Sequence, residues 1–312
     1  MNSQVLVESI IGNIEKVIVG KRDVIKILIA GLLSRGHILI EDIPGLGKTM
    51  LVKALAKSIN ADFKRIQFTP DLLPSDITGV SIFNQHTSQF EFRAGPVFAN
   101  IVLADEVNRT TPRTQSGLLE AMQEYAVTVD GKTHKLPDPF FVIATQNPIE
   151  YYGTYPLPEA QLDRFLIRVN VGYLPEAEEI KLLENRMAKD PMDDLKPVAT
   201  VADVLALMEA AKGIRVHKDV LGYIVKIMNS TRSHPDIKLG ASPRGSLALM
   251  NLAKTYALIS SRDYVTPADV KEVAVAVTNH RIILHPSTLV QGKKPHDVMQ
   301  EIIAKVPVPV EV

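Results

Sequence analysis

The stretch that decides the fold runs from residue 38 to residue 49 and reads Ile-Leu-Ile-Glu-Asp-Ile-Pro-Gly-Leu-Gly-Lys-Thr. Its apolar start predicts a strand, and this strand leads into a glycine-containing loop that ends in Lys48 and Thr49. Such a loop can surround a polyphosphate with backbone N–H groups, while the lysine contacts the outer phosphates and the threonine hydroxyl binds Mg²⁺. We therefore predict a nucleotide site that is formed by Pro44, Gly45, Leu46, Gly47, Lys48, Thr49 and Met50.

One position departs from the strict G-x-x-x-x-G-K-[ST] pattern, because Asp42 stands where the first glycine would be. A carboxylate close to phosphate groups repels them. We therefore expect the Asp42 side chain either to point away from the nucleotide or to be paired.

A second stretch, Ile-Val-Leu-Ala-Asp-Glu at residues 101 to 106, predicts an apolar strand that ends in two carboxylates. Asp105 suits the water shell of Mg²⁺, and Glu106 can polarise an attacking water. In isolation the pair could be two solvated acids at an exposed strand end, but the phosphate loop upstream favours catalysis. Together the two stretches predict ATP hydrolysis and not only ATP binding.

Two further polar residues adjoin predicted strands. Asn147 ends one of them, where its amide could hold the attacking water or sense the γ-phosphate, although asparagine before proline is also an ordinary turn former. Arg164 lies at the start of the fifth predicted strand, far along the sheet from any phosphate of its own chain. It is either an arginine finger for a neighbouring subunit or the partner of Asp163 or Glu159 in a salt bridge.

Arg244 follows Ser242 and Pro243, which together predict a helix start with the serine as its cap. A cation in the first turn opposes the helix dipole. A nearby anion would resolve this conflict. It could be an ATP phosphate or a neighbouring carboxylate, and we favour the phosphate.

Up to about residue 171, short apolar runs alternate with helical patterns, which predicts an α/β fold with a parallel sheet between helical layers. The predicted strands cover residues 37–41, 65–68, 101–105, 140–145 and 165–171. Two β-hairpins are predicted as inserts, at about residues 80–92 and 126–136. Beyond residue 174 the strand signals vanish, and helices are predicted over 176–187, 201–211, 218–233, 243–260 and 266–279. We therefore expect a core at residues 1–172 and a smaller, all-helical module at residues 173–312.

Composition narrows the class of protein further. The 312 residues include 35 basic and 35 acidic side chains, and this balance argues against a protein that mainly coats nucleic acid. There is no cysteine, which excludes disulfides and cysteine-based zinc sites, and the histidines suggest no metal other than Mg²⁺. The N-terminus predicts an amphipathic helix and not a signal peptide, and no run approaches the roughly 18 apolar residues of a membrane span. We expect a soluble cytoplasmic protein.

Taken in order, the motifs resemble those of AAA+ ATPases with a P-loop core, and specifically of the MoxR family. The resemblance spans nearly the whole chain, and Asp42 is the residue that this family tends to have at its position. It rests on Glu-Asp-Ile-Pro-Gly-Leu-Gly-Lys-Thr at 41–49, Gly-Pro-Val-Phe-Ala-Asn-Ile-Val-Leu-Ala-Asp-Glu-Val-Asn-Arg at 95–109, Thr-Gln-Ser-Gly-Leu-Leu-Glu-Ala-Met-Gln-Glu at 114–124, Ala-Thr-Gln-Asn-Pro at 144–148, Leu-Pro-Glu-Ala-Gln-Leu-Asp-Arg-Phe at 157–165 and Gly-Ala-Ser-Pro-Arg at 240–244.

The resemblance implies a role for each matched residue of the core. Lys48 and Thr49 are similar to the Walker A pair, Asp105 and Glu106 to the Walker B pair, and Asn147 to sensor 1. The hairpin at about 80–92 would be the insert in helix 2, and the hairpin at about 126–136 would be the one that precedes sensor 1.

The resemblance also implies an assembly. Arg164 is similar to the arginine finger, Arg244 to the sensor 2 arginine of the helical lid, and Ile18, Val19 and Gly20 to the segment that packs on adenine. Such proteins form rings, usually hexamers, with ATP at the subunit interfaces. They act as chaperone-like remodellers of client proteins, together with partners that carry von Willebrand factor A domains. Because ATP would contact both core and lid, hydrolysis is expected to change the angle of the lid and to move the hairpins.

Three other functions remain open at the level of sequence. The ATP-driving subunit of a magnesium chelatase shares the hairpin-bearing architecture, and its metal-insertion complex differs chiefly in the partner. A DNA-associated motor is disfavoured by the zero net charge. A nucleotide-gated scaffold that binds ATP and barely hydrolyses it is disfavoured by the presence of Glu106 and Arg164.

Overall fold

The computed structural model describes residues 3–148, 153–187 and 190–309. The strands in chain order are β1 (Ile38–Glu41), β2 (Phe63–Gln67), β3 (Gly79–Asn84), β4 (Gln89–Ala94), β5 (Ile101–Asp105), β6 (Ala126–Val129), β7 (Lys132–Lys135), β8 (Phe141–Gln146), β9 (Ile167–Val169), β10 (Ile237–Leu239) and β11 (Ile283–Leu284).

The helices flank and follow these strands. They are α1 (Ser3–Glu15), α2 (Arg22–Leu33), α3 (Lys48–Ser58), α4 (Pro74–Thr78), α5 (Pro112–Glu124), α6 (Glu159–Leu162), α7 (Glu176–Arg186), α8 (Pro191–Asp194), α9 (Val201–Gly213), α10 (Lys218–Ser233), α11 (Pro243–Ile259), α12 (Pro267–Thr278), α13 (Pro286–Val290) and α14 (Pro295–Lys305).

Five strands form the central sheet in the order β2-β5-β8-β1-β9, and all neighbouring pairs in it are parallel. In β1, Ile38 and Ile40 belong to the apolar cluster on one face, while Leu39 belongs to the cluster on the other. Successive side chains of a strand point to opposite faces, so a sheet covered by helices on both sides needs apolar residues at every position. The predicted α/β fold with its parallel five-stranded sheet is confirmed.

Two antiparallel hairpins project from this core, β3 with β4 and β6 with β7. They contact each other, because the Phe92 ring of the first stacks on the His134 ring of the second with a centroid separation of 3.9 Å. Farther out on the first hairpin, Phe83 and Phe90 meet edge to face, and Phe90 is 72% exposed. The hairpins therefore form one unit whose tip presents aromatic side chains to solvent.

The region after residue 173 is helical, as predicted, but it is not all-helical. The strands β10 and β11 pair antiparallel within it. With three and two residues they are too short to give the alternating pattern from which a strand is predicted. The placement of the domain boundary near residue 173 stays a prediction.

The helical lid is packed against the core. A single apolar cluster includes Ile10 of α1, Leu28 of α2, and Leu249 and Leu252 of α11. A polar bond also joins α1 to the segment before α9, since the Asn13 side chain donates to the Lys196 carbonyl at 2.9 Å. Core and lid therefore share one continuous interior.

Candidate nucleotide-binding site

The phosphate loop connects the end of β1 to the start of α3. Gly45 and Gly47 have positive φ angles of 87° and 78°, and no atom beyond the adjacent residues lies within 4 Å of where a Cβ would stand on either one. Only glycine adopts such angles without strain, and the free space leaves room for a ligand to approach the backbone. The helix α3 begins at Lys48, so its first N–H groups and the positive end of its dipole face this space.

Lys48 is held by its own loop. Its ammonium donates to the carbonyl oxygens of Asp42 at 2.8 Å and of Ile43 at 3.2 Å. Burial lowers the pKa of Lys48, while the carboxylates of Asp42, Asp105 and Glu106 oppose that change. An ammonium that is partly desolvated and bound only to neutral carbonyls can exchange them for phosphate oxygens.

Asp42 is paired and turned away, which answers the question raised by its position in the loop. Its Oδ2 accepts backbone N–H bonds from Val171 at 2.7 Å and from Gly172 at 2.8 Å, and its Oδ1 accepts one from Ile43 at 3.1 Å. These bonds tie the start of the phosphate loop to the segment that leads out of β9 towards the lid.

A cavity of about 540 Å³ adjoins the loop. Seven of the predicted nucleotide contacts line it: Ile18, Val19, Pro44, Gly45, Leu46, Gly47 and Met50. Gly20 does not line it. A Cβ on Gly20 would lie 1.7 Å from Oε2 of Glu178, so this glycine allows α7 to approach closely.

The sequence analysis missed the opposite wall of this cavity. It is formed by Tyr173 and by three residues of α7, namely Glu179, Leu182 and Arg186. The spacing of 179, 182 and 186 places them on one face of a helix, and that pattern could have suggested a shared surface.

The two strand-end carboxylates lie beside the phosphate loop. Asp105 is 8% exposed, and its Oδ1 accepts a bond of 2.6 Å from the Thr145 hydroxyl. The same hydroxyl accepts the Glu106 N–H at 2.8 Å. Glu106 has φ 60°, a left-handed conformation that is costly for a residue with a side chain and that is concentrated at functional sites. Thr145, which the sequence analysis did not single out, therefore fixes both acidic residues.

Both carboxylates have cationic or amide partners. Arg65 of the neighbouring strand β2 donates to Oδ2 of Asp105 from Nε at 3.0 Å and from Nη2 at 2.7 Å. Oε2 of Glu106 accepts a bond of 2.7 Å from Gln67 and lies 3.3 Å from Nε of Arg109. These partners hold the two acids, and a metal-bound water or an attacking water would compete with them for the carboxylate oxygens.

Asn147 lies where the prediction placed it. It follows β8, the strand between β5 and β1, and it is 6% exposed. Its backbone carbonyl accepts a bond of 3.2 Å from the Asn108 side chain, and the preceding Gln146 carbonyl accepts the Asp42 N–H at 3.1 Å. Asn147 is thus fixed between the phosphate loop and the acidic pair.

The structure brings Arg164 and Arg244 together, but not to the phosphate loop of their own chain. With Arg281 they line a groove at the amino end of β1 and β9, beside residues 34–37. The phosphate loop follows the other end of β1, a strand of four residues that spans about 13 Å. Arg244 therefore groups with the predicted arginine finger and not with the loop.

The alternatives weighed for the two arginines have different outcomes. Nη1 of Arg244 lies 3.9 Å from Oδ2 of Asp163, so a neighbouring carboxylate does face this cation. Ser242 does not cap its helix, since its hydroxyl donates to Asp163 at 3.1 Å. Within the described residues, Arg164 forms no salt bridge with Asp163 or Glu159.

One cluster of possible metal ligands lies outside this site. His234, Asp236 and Glu301 meet in the lid, but the Lys293 ammonium lies 3.0 Å from both carboxylates and occupies the space between them.

Comparison with known proteins places the chain in a family. Residues 37–167 match the model of the ATPase family associated with various cellular activities (AAA), and residues 229–302 match the AAA lid domain. The chain is 54% identical to the uncharacterized protein YeaC of Bacillus subtilis, over 96% of this chain and 93% of the relative. It is 42% identical to Chaperone MoxR1 of Mycobacterium tuberculosis, over 97% of this chain and 82% of the relative.

A solved structure is similar over nearly the same extent. A crystallised protein from Cytophaga hutchinsonii that was assigned as an ATPase superposes with a TM-score of 0.91 at 40% identity, covering 98% of this chain and 96% of that one. Among the helices that the structure describes, none combines the length and the apolar character that crossing a membrane requires.

These similarities include both core and lid, and they agree with the site that the strand ends form. The predicted activity, ATP hydrolysis, is confirmed, and nucleotide binding follows from it. The chain belongs to the MoxR family of AAA+ ATPases.

Proposed function

We propose that the chain binds ATP with Mg²⁺ in an oligomeric ring, and that each ATP site is completed by Arg164 and Arg244 of a neighbouring chain. The observation that carries this proposal is the position of the arginine pair at the end of β1 opposite to the phosphate loop. One chain thus offers a nucleotide face and an arginine face that do not meet within it. Such a head-to-tail pair of surfaces closes into a ring when the rotation between subunits allows it.

The residues present fit a magnesium ion. Thr49 follows Lys48 at the start of α3, and Asp105 is the last residue of β5 in the central sheet. Hydroxyl and carboxylate oxygens are the donors that Mg²⁺ prefers, and the ion usually keeps several waters. When bound, Mg²⁺ neutralises charge on the outer phosphates.

The residues of the chain then divide the work of hydrolysis. Lys48 exchanges the loop carbonyls for phosphate oxygens, and Glu106, released from Gln67 and Arg109, accepts a proton from water. The water oxygen attacks the γ-phosphorus while the bond to the ADP oxygen breaks, and Asn147 orients the water. The arginines of the neighbour stabilise the charge that develops on the transferred phosphoryl group.

We further propose that the energy serves chaperone-like remodelling of a client protein, with partners that carry von Willebrand factor A domains. The relative in Mycobacterium tuberculosis is named a chaperone, and 42% identity along nearly the whole chain supports a related role. The exposed aromatic tip of the first hairpin, with Phe83 and Phe90, offers an apolar surface for such a contact.

Turnover per chain, measured over a wide range of protein concentration, tests the assembly. We expect a steep rise with concentration, because an isolated chain lacks the arginines of a neighbour. In the assembled protein, Arg164→Ala should lower turnover on the order of a thousandfold without weakening ATP binding. Arg215→Ala, at a lid arginine that is 74% exposed, is the matched control and should have no effect. Appreciable turnover that stays constant down to demonstrably monomeric protein would refute the shared site.

The catalytic assignment has its own test. Glu106→Gln should still bind ATP and should lose turnover, because the amide cannot accept the proton from water. An unchanged rate would contradict the role of Glu106.

A further inference from the structure

The segment that carries Arg164 is fixed by a buried arginine of the lid. The Arg281 side chain is 2% exposed and donates from Nε to Oδ1 of Asp163 at 2.8 Å. It also donates to the backbone carbonyls of Asp163 at 3.3 Å and Leu166 at 2.9 Å, and to that of Phe165. The backbone is therefore held on both sides of Arg164.

The Asp163 carboxylate also contacts a second segment of the lid, the start of α11. Its Oδ2 accepts the Ser242 hydroxyl at 3.1 Å and faces Arg244 at 3.9 Å. One carboxylate of the core thus joins the turn after α12, which carries Arg281, to the start of α11, which carries Arg244. Asp163 is therefore linked to both arginines of the proposed finger pair. Arg164 is the next residue of the backbone, and the Arg244 guanidinium faces the carboxylate.

Removing the charge of Asp163 has a clear consequence for Arg281. Burial lowers the pKa of Arg281 to about 10, and Asp163 opposes that change, so the guanidinium stays charged at neutral pH. A buried cation without its anion is strongly unfavourable, and the segment from Asp163 to Leu166 would rearrange to solvate it.

We propose that Asp163 and Arg281 are positioning residues that hold Arg164 and Arg244 as one rigid unit for the ATP site of the neighbouring chain. This inference rests on the proposed function. A group that stabilises a transition state must be placed in advance, because a displacement of about 1 Å lowers the rate on the order of a hundredfold. The Arg164 side chain stays available for the neighbour, while its backbone is already ordered.

The test is complementation between two chains that are each impaired in turnover. Asp163→Asn keeps the shape of the side chain, and we expect it to lower turnover roughly 10- to 100-fold with unchanged ATP affinity. Mixed one to one with Glu106→Gln, it should recover about a quarter of wild-type turnover per chain, because a quarter of random head-to-tail neighbours pair an intact Glu106 with an intact arginine face. Arg281→Lys should behave like Asp163→Asn, since an ammonium cannot reproduce the fork of bonds.

Controls separate positioning from stability. Asp269→Asn disrupts a comparably buried ion pair of the lid, with Arg262, and should lower stability without lowering turnover at temperatures where the protein is folded. Arg164→Ala should be complemented by Glu106→Gln in the same way as Asp163→Asn.

The outcomes are distinct. If Arg164→Ala is complemented while Asp163→Asn and Arg281→Lys keep wild-type turnover, positioning is refuted and the shared site stands. If Arg164→Ala is not complemented, the shared site itself is wrong. Should Asp163→Asn fail to fold, Ser242→Ala removes only one bond to the same carboxylate. It should lower turnover severalfold, with the same complementation, and an unchanged turnover would overturn the proposal.

Discussion

Asp42 offers a sharp test of how the phosphate loop is held. Its carboxylate accepts three backbone N–H bonds, two of them from Val171 and Gly172 beyond β9. A hydrogen bond to a charged group contributes about 1.5–3 kcal/mol, and Asp42→Asn removes the charge and turns an amide N–H group towards some of these donors. We expect the free energy of unfolding to fall by about 2–4 kcal/mol, since part of the bonding survives.

The same substitution should weaken nucleotide binding. Gly172 and Tyr173 line the cavity beside the loop. Losing the bonds of Asp42 therefore lets this segment and the phosphate loop, two walls of the cavity, move relative to each other. Ordering them again on binding should raise the Kd for ATP roughly tenfold, which corresponds to about 1.4 kcal/mol. Urea unfolding and a binding titration measure the two effects. Asp138→Asn, which disrupts a more exposed ion pair with Arg35, is the control and should change both by little.

Asp42→Gly makes the test stricter, because it restores the first glycine of the general phosphate-loop pattern. If sequence pattern alone governed affinity, this variant would bind ATP more tightly. We expect it to bind more weakly than wild type, since the bonds to Val171 and Gly172 are lost. Tighter binding by either variant would mean that repulsion between the Asp42 carboxylate and phosphate dominates, and our account of the loop would be wrong.

Two more predictions concern Asp105, the acid proposed to hold Mg²⁺, and a buried histidine. Arg65→Gln should lower the Mg²⁺ concentration for half-maximal turnover about fivefold, because it removes a cation that competes for Asp105; an unchanged or higher requirement would contradict this. Burial lowers the pKa of His37 from 6.5 to about 4. Between these two values the unfolded chain binds a proton that the folded chain does not. The free energy of unfolding should therefore fall by about 2 kcal/mol when the pH is lowered from 7 to 5. His37→Gln should lose that part of the pH dependence in urea unfolding, whereas His86→Gln, at an exposed position, should keep it.

The parts of the site that the sequence predicted are those encoded within a few residues. The loop from Asp42 to Thr49 and the pair at Asp105 and Glu106 each combine a buried strand with a polar end, and this pattern is visible in a short window. The parallel sheet then brings them together without further information, because the carboxyl ends of its strands share one edge.

The missed residues depend on contacts between distant segments. Nothing in the sequence around Arg65 indicates its partner, because Asp105 is 40 residues away along the chain. Arg281 lies 118 residues from Asp163 and carries no local signal of a role. The position of Arg244 depends on how the lid packs on the core, and helix periodicity cannot give that orientation. The expected contact of Arg244 with an ATP phosphate stays a prediction, and the sequence could not indicate that Arg244 lies beside Arg164.

The packing of the lid also indicates where nucleotide-dependent motion is least costly. Tilting the whole lid would separate α11 from the core, and Leu249 and Leu252 are fully buried there. Exposing each such side chain costs about 1.5–3 kcal/mol, so a change of lid angle works against the shared interior. The helix α7, which follows the predicted domain boundary near residue 173, has no buried residue, yet it lines the cavity with Leu182 and Arg186. We therefore expect a nucleotide to move α7 against little resistance, while the bonds of Arg281 to Asp163, Phe165 and Leu166 would hold the proposed arginine pair in place. We expect the ATP cycle to act first on α7, so that the predicted change of angle would involve this helix and not the lid as a whole.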